Sequence, residues 1–261
     1  MSQKNNTDAG SRMHVLDWVE SRGEDFVSSL NRIIQVSGAR VSPGFCWKPH
    51  SRRYHEEALL TKPCEPLLPV EISRALRKWW FAVDRSNPNE PNWDLAVHVT
   101  FPNARPAIVL AEAKAHEDEL QSEEEGKSPG NNPMNHEQIG RDICEARDAL
   151  GGSAKRVNIS RDSHYQFSNC IAFAWKLAKE GVPMVLIYLG FTGDEGITDL
   201  SPCIRDDAHW RDLMKEHMDG IYPASLLEQE ISCGKASMWV LIRTLKSVRM
   251  SPPQSERKQL V

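Results

Sequence analysis

The stretch NWDLAVHVTFPNARPAIVLAEAKAH, residues 92–116, decides how this chain is read. Two apolar runs, about 93–101 and 107–114, flank a short proline-bounded turn, which predicts a pair of antiparallel strands. Asp94 stands in the first run beside Leu95, Val97 and Val99, and Glu112-Ala113-Lys114 ends the second after Ile108, Val109 and Leu110. With a turn centred on Ala104, Asp94 faces Lys114 and Ala96 faces Glu112. Side chains alternate along a strand, so Asp94, Glu112 and Lys114 project from one face at the edge of an apolar core. Two acids with one lysine leave excess negative charge there, and an unpaired buried charge is costly. Two carboxylates and a backbone carbonyl, that of Ala113, form the hard oxygen set that Mg²⁺ prefers.

The flanking sequence sets this hairpin in an α/β pattern. PVEISRALRKWWFAV, residues 69–83, starts with proline where a helix commonly begins and carries Ile72, Ala75, Leu76 and Trp79 on one face. After the hairpin, NHEQIGRDICEARDALGG (135–152) and YQFSNCIAFAWKLAKEG (165–181) read as helices closed by glycine, with KRVNIS (155–160) as a short strand between them. VPMVLIYLGF (182–191) reads as a strand buried on both faces, so a helix-then-strand crossover and a partly parallel sheet are expected. A helix around WRDLMKEHM and an apolar segment SMWVLIRTL follow, and residues 250–261 read as a disordered tail. Upstream, residues 13–36 show helical spacing broken near Gly23, and Gly38 ends the segment. Residues 40–68 have no sustained period beyond a short helix expected at YHEEALL.

This combination of residues resembles the PD-(D/E)XK nuclease superfamily, the restriction-endonuclease-like fold. Asp94 matches its first acid and Glu112-Ala113-Lys114 its (D/E)XK element, with residues 95–111 between them. Trp93 rather than proline precedes Asp94, and Pro91 is displaced. The resemblance covers roughly residues 69–190. It implies an αβββαβ core with a mixed central sheet flanked by helices, Mg²⁺ (or Mn²⁺ in its place) held by Asp94, Glu112 and the Ala113 carbonyl, and Lys114 acting on the attacking water. Members often add an acid from the preceding helix, where Glu71 matches and Glu57 is in reserve, and a glutamine on the following helix, where Gln138 is similarly placed. The expectation is then a metal-dependent deoxyribonuclease domain over 69–249 with DNA as partner, behind a helical N-terminal extension over 1–68 packed on the core. Restriction, phage defence and repair are the roles the superfamily serves, and symmetric double-strand cutting would call for a homodimer. The alternative is a catalytically inactive DNA-binding or assembly subunit that keeps the fold.

Each residue also has a structural reading. Asp94 and Lys114 could form a plain cross-strand ion pair. Glu71 falls in a first helical turn, where an acid suits the helix dipole. Gln138 would complete a capping box if Asn135 is the N-cap. His98 and His116 read as structural or solvated. Glu-x-Lys on its own is weak, because it recurs at Glu125 and Glu256 in polar segments.

The net charge of −4 is local: residues 117–128 hold six acids and one lysine, leaving +1 for the rest of the chain. That acidic stretch reads as a solvated loop, which could also mimic nucleic acid over the site. Arg74, Arg77 and Lys78 beside Trp79 and Trp80, and Arg243, Lys246 and Arg249, are candidate phosphate contacts. The six cysteines are scattered without a Cys-x-x-Cys pair and read as reduced. The polar start and the short apolar runs predict a soluble, cytoplasmic protein with no membrane partner. Phosphate-loop, dinucleotide and Gly-x-Ser-x-Gly signatures are absent, which argues against nucleotide-driven motors, dehydrogenases and serine hydrolases.

Overall fold

The computed structural model describes residues 10–21, 24–41, 44–62, 67–83, 90–102, 105–130, 132–194 and 201–247. The hairpin turn at Ala104, Cys64, Arg249 and the C-terminal tail lie outside the described residues. In chain order the elements are α1 (Gly10–Glu20), α2 (Glu24–Ile33), β1 (Trp47–Lys48), α3 (Val70–Trp80), β2 (Leu95–Thr100), β3 (Pro106–Lys114), α4 (Glu117–Gln121), α5 (Pro133–Ala149), α6 (Tyr165–Glu180), β4 (Met184–Thr192), α7 (Asp207–His217), β5 (Ile231–Ser232) and β6 (Ser237–Lys246). The strands form one open mixed sheet in the order β1-β2-β3-β4-β6-β5.

The centre of that sheet is parallel. β3 runs antiparallel to β2 but parallel to β4, and β4 is parallel to β6. The two parallel steps require crossovers, supplied by α5 with α6 and then by α7. β4 is buried along nearly its whole length, which is why its sequence is a continuous apolar run without alternation.

Helices cover both faces. On one face, α3, α5, α6 and α7 pack on Ile108, Leu110, Leu186 and Tyr188, with Trp80, Trp93 and Phe173 fully buried. On the other, Val15, Phe26, Leu30 and Ile34 from α1, α2 and the turn after them pack on Val97, Val109, Ile187 and Leu241. α1, α2 and the turn after them thus provide the second helical layer. Each of these buried side chains contributes about 1.5–3 kcal/mol, so Phe26→Ala would cost roughly 3–5 kcal/mol once its cavity is included.

Several expectations are corrected. Residues 55–60 form no helix; Ala58 instead bridges Trp93. Residues 157–160 form no strand, because Asn158 is held by the loop after α7: its N–H donates to the Ile221 carbonyl at 2.8 Å and its side-chain amide to Gly220. α5 starts earlier than expected, since Asn132 is the N-cap and Pro133 occupies the first turn. The acidic stretch is folded: α4 lies within it, Leu120 and Glu123 are buried, and Lys127 N–H donates to the Arg161 carbonyl at 2.8 Å. The five described cysteines are free thiols. Among the described residues no helix is long and apolar enough to cross a membrane.

Candidate functional site

The hairpin register differs from the one expected by two residues. Leu95 pairs with Ala111, Ala96 with Leu110 and Val97 with Val109, so the same register extended places Asp94 opposite Glu112, not Lys114. A shift of two keeps every side chain on its face. Asp94, just ahead of β2, accepts a hydrogen bond from Ala113 N–H at 2.8 Å through Oδ2. In a strand the N–H and C=O of one residue point to the same edge, so the Ala113 carbonyl also faces the Asp94 side, beyond the end of β2.

Glu112 and Lys114 lie two residues apart on β3, and their side chains meet: Nζ is 2.6 Å from Glu112 Oε1. On its other side Nζ is 2.7 Å from Glu123 Oε1. Glu112, Lys114 and Glu123 are 6%, 7% and 5% exposed, so this is a buried charge cluster where pairing is required. Glu123 was not among the residues singled out from sequence. It arrives because the chain turns back after β3 through α4, whose Glu119 receives the Ala115 and His116 N–H groups at 2.5 and 3.1 Å.

The neighbouring strand shapes the floor. Glu112 is level with Tyr188 and Lys114 with Gly190. The Trp210 ring of α7 lies against Gly190 so closely that a Cβ there would fall 2.8 Å from its Cγ. Glycine is needed at that position to let the indole close over the sheet beside Lys114.

The electrostatics follow from burial. Burial pushes the Glu112 carboxyl up to about 8 against the pull of Lys114, with Asp94 and Glu123 adding to the rise. Asp94 is raised by burial as well, again opposed by Lys114. Burial alone would lower the Lys114 ammonium, but Glu112, Glu123 and Asp94 hold it well above its ordinary value. Burial would raise Glu123, yet Lys114 and His217 keep it low. Lys114 and Glu123 are therefore the settled ion pair. Asp94 and Glu112 are the carboxyls that burial biases toward the protonated form.

Around this centre the other candidates separate. Glu71 is exposed in the first turn of α3 and has the helix-dipole position without a share in the buried cluster. Gln138 is engaged elsewhere: Nε2 donates to the Trp79 carbonyl at 3.0 Å and to Asp142 Oδ1 at 2.8 Å, and Oε1 accepts from Arg141. With Asn132 as N-cap it does not complete a capping box either. Glu57 stands nearer, paired with Arg12, whose charge in turn acts on Asp94. His98 is held by Cys46 and the Leu67 carbonyl. His116 lies 3.1 Å from Asp194 Oδ2, and His14 lies 2.8 Å from the same oxygen, tying α1 to the ends of β3 and β4.

The sequence-level phosphate contacts also rearrange. Trp79 and Trp80 are buried and cannot stack on a base, and Arg243 is bound to Glu228 and the Ile33 carbonyl. A groove of about 1220 Å³ not foreseen from sequence is bordered by Lys155, Arg156, Arg211 and Lys215 together with the acids Asp219 and Glu228, and Arg211 is paired with Asp207. α7 presents Arg211 and Lys215 to that groove and His217 toward Glu123. Comparison with protein-family models, with curated proteins and with solved structures gives no match.

Proposed function

We propose that this chain is a Mg²⁺-dependent nuclease that hydrolyses phosphodiester bonds of DNA, on a restriction-endonuclease-like core. The observation that carries the reading is the convergence of Asp94, Glu112 and Lys114 on one face where β3 ends. The antiparallel β2-β3 pair followed by parallel β4 agrees with part of the expected αβββαβ order; the strand beside β2 is β1, which precedes α3 instead of following it, so only two strands stand between α3 and the crossover helices. The donor set fits a hard divalent cation: Asp94 and Glu112 would hold it, with the Ala113 carbonyl directed to the same side. Such an ion polarises the scissile phosphate and acidifies a bound water.

The protein's own groups do the rest. Lys114 donates its ammonium protons toward the attacking water and places positive charge where the phosphoryl oxygens gain negative charge. Glu123 keeps that lysine protonated and aimed, and is a positioning residue. The groove bordered by Lys155, Arg156, Arg211 and Lys215 supplies backbone-phosphate contacts. The experiment is cleavage of plasmid, linear and single-stranded DNA with Mg²⁺ or Mn²⁺, comparing wild type with Asp94→Ala and Lys114→Ala. Equal activity in all three proteins would overturn the assignment.

A second reading rests on one specific observation. Lys114 is bound on two sides by carboxylates, Glu71 is exposed and Gln138 is turned to α3, which is also what a non-cleaving DNA-binding or assembly subunit would show. Stable DNA binding without metal-dependent cleavage would favour that reading.

A further inference from the structure

Away from the Asp94 and Glu112 carboxyls, Glu124, His164 and His217 bring three metal-ligating atoms within 4.8 Å of one another. The three come from separate parts of the chain. Glu124 follows α4, His164 immediately precedes α6, and His217 ends α7. Backbone contacts build the approach: His164 N–H donates to the Glu124 carbonyl at 3.0 Å and Tyr165 N–H to that of Glu125 at 3.2 Å. His164 holds a left-handed φ of 47°, a conformation uncommon for a residue with a Cβ.

A second observation points to a ligand. His217 is 3% exposed, and its Nδ1 has no partner while its Nε2 faces the Glu123 carboxylate; His164 Nδ1 is also buried without a hydrogen bond. Buried polar nitrogens without partners are costly and rare. The two rings lie 5.0 Å apart at 61°, with Phe167 closing the apolar side of His217 at 5.7 Å.

We propose that Glu124, His164 and His217 bind a first-row divalent transition ion of the zinc class. Two imidazole nitrogens and one carboxylate suit Zn²⁺ with a water in the fourth position, whereas Mg²⁺ prefers oxygen alone. A tetrahedral ion draws its ligand atoms to about 3.3 Å of one another, so binding contracts the group from its present spacing. His217 Nε2 lies 3.5 Å from Glu123 Oε2. With Nδ1 on the ion, Nε2–H points to that carboxylate, the arrangement in which an outer carboxylate orients a metal-bound imidazole. Because Glu123 also contacts Lys114, the ion would fasten the acidic segment to α6 and α7 and, through it, fix the lysine. The site stands on its own residues whether or not the chain cleaves DNA.

The test is calorimetric titration of the full chain with Zn²⁺ in saturating Mg²⁺, alongside the visible absorption of the Co²⁺-loaded protein. The expected result is one Zn²⁺ per chain, weakened at least ~10-fold by Glu124→Gln and by His164→Gln, with the Co²⁺ bands lost in both, and unchanged affinity in Asp94→Asn. His217 is too deeply packed to carry the test, so the exposed Glu124 and half-buried His164 do, with circular dichroism showing both variants folded. Absence of Zn²⁺ binding by wild type, wild-type affinity in both variants, or loss of Zn²⁺ in Asp94→Asn would each overturn the proposal. No nuclease activity is read, so failure here and failure of the proposed function are separate outcomes.

Discussion

The ammonium of Lys114 lies 2.7 Å from Oε1 of Glu123, a residue from a stretch whose composition is that of a solvated loop. The pair joins the end of β3 to the chain that follows α4 and fixes the lysine between two carboxylates, with Glu112 on the other side at 2.6 Å.

Lys114→Ala removes the only cation that these acids share in direct contact among the described residues, leaving Glu112 and Glu123 buried without it. Metal-dependent cleavage should fall by at least ~100-fold, and stability by about 3–5 kcal/mol. Nicking assays and urea unfolding read the two effects apart, and Asp94→Asn should lose cleavage at much smaller cost in stability.

Glu123→Gln keeps the shape but removes the charge that aims Lys114. A loss of about 10-fold in turnover is expected, with Mg²⁺ affinity retained, because a positioning group rather than a Mg²⁺ ligand is altered. A drop as deep as that of Asp94→Asn would place Glu123 on the ion instead.

Stability should fall as pH rises. Burial lifts Asp142 to about 7 and Glu112 to about 8, both above their unfolded values, so the unfolded chain loses these protons first. Stabilisation from the two protonated carboxyls is complete below about pH 4 and lost as pH climbs through 7 and then 8. Urea midpoints in EDTA from pH 5 to 9 should decline accordingly, Asp142→Asn should flatten the lower part of that decline, and Mg²⁺ should reduce the upper part. A midpoint that rises across this window contradicts the assignment of both groups.

Gly126→Ala probes the acidic segment directly. A Cβ there would fall 2.4 Å from the Asp162 carbonyl oxygen, and backbone cannot rotate aside as a side chain would. The cost should be about 1–3 kcal/mol, and hydrogen exchange should accelerate at Lys127 and His164, whose N–H groups bond across this contact. Unchanged exchange would mean that the segment is not held there.

Much of the architecture is legible in the sequence because local signals and tertiary demands agree. Helical spacing locates α3, α5, α6 and α7, and the unbroken apolar run of β4 announces a strand covered on both faces. The hairpin shows a tolerance worth noting: the register is off by two, yet Asp94, Glu112 and Lys114 keep their common face, because the side-chain period of a strand is two. Other features were present but outweighed. Asn132-Pro133 is a better helix start than Asn135, and Glu119 three residues after His116, followed by Leu120, is a helix-opening pattern inside the acidic stretch. Glu71 and Gln138 occupy positions that sequence spacing alone cannot rotate toward or away from a site. The approach of His164 to His217, from helices far apart in sequence, leaves no local trace.

The second helical layer has a consequence for how the chain is made. α1 and α2 emerge before every strand they cover, and the apolar surface beneath them is completed only when β4 and β6, far later in the sequence, are in place. Phe26, Leu30 and Ile34 must therefore wait for β4 and β6 before they are buried. Such long-range pairing slows folding and leaves apolar surface open to mispairing while synthesis proceeds. For this protein, the interval between α1 and β6 leaving the ribosome is when the apolar faces of α1 and α2 are most open to mispairing.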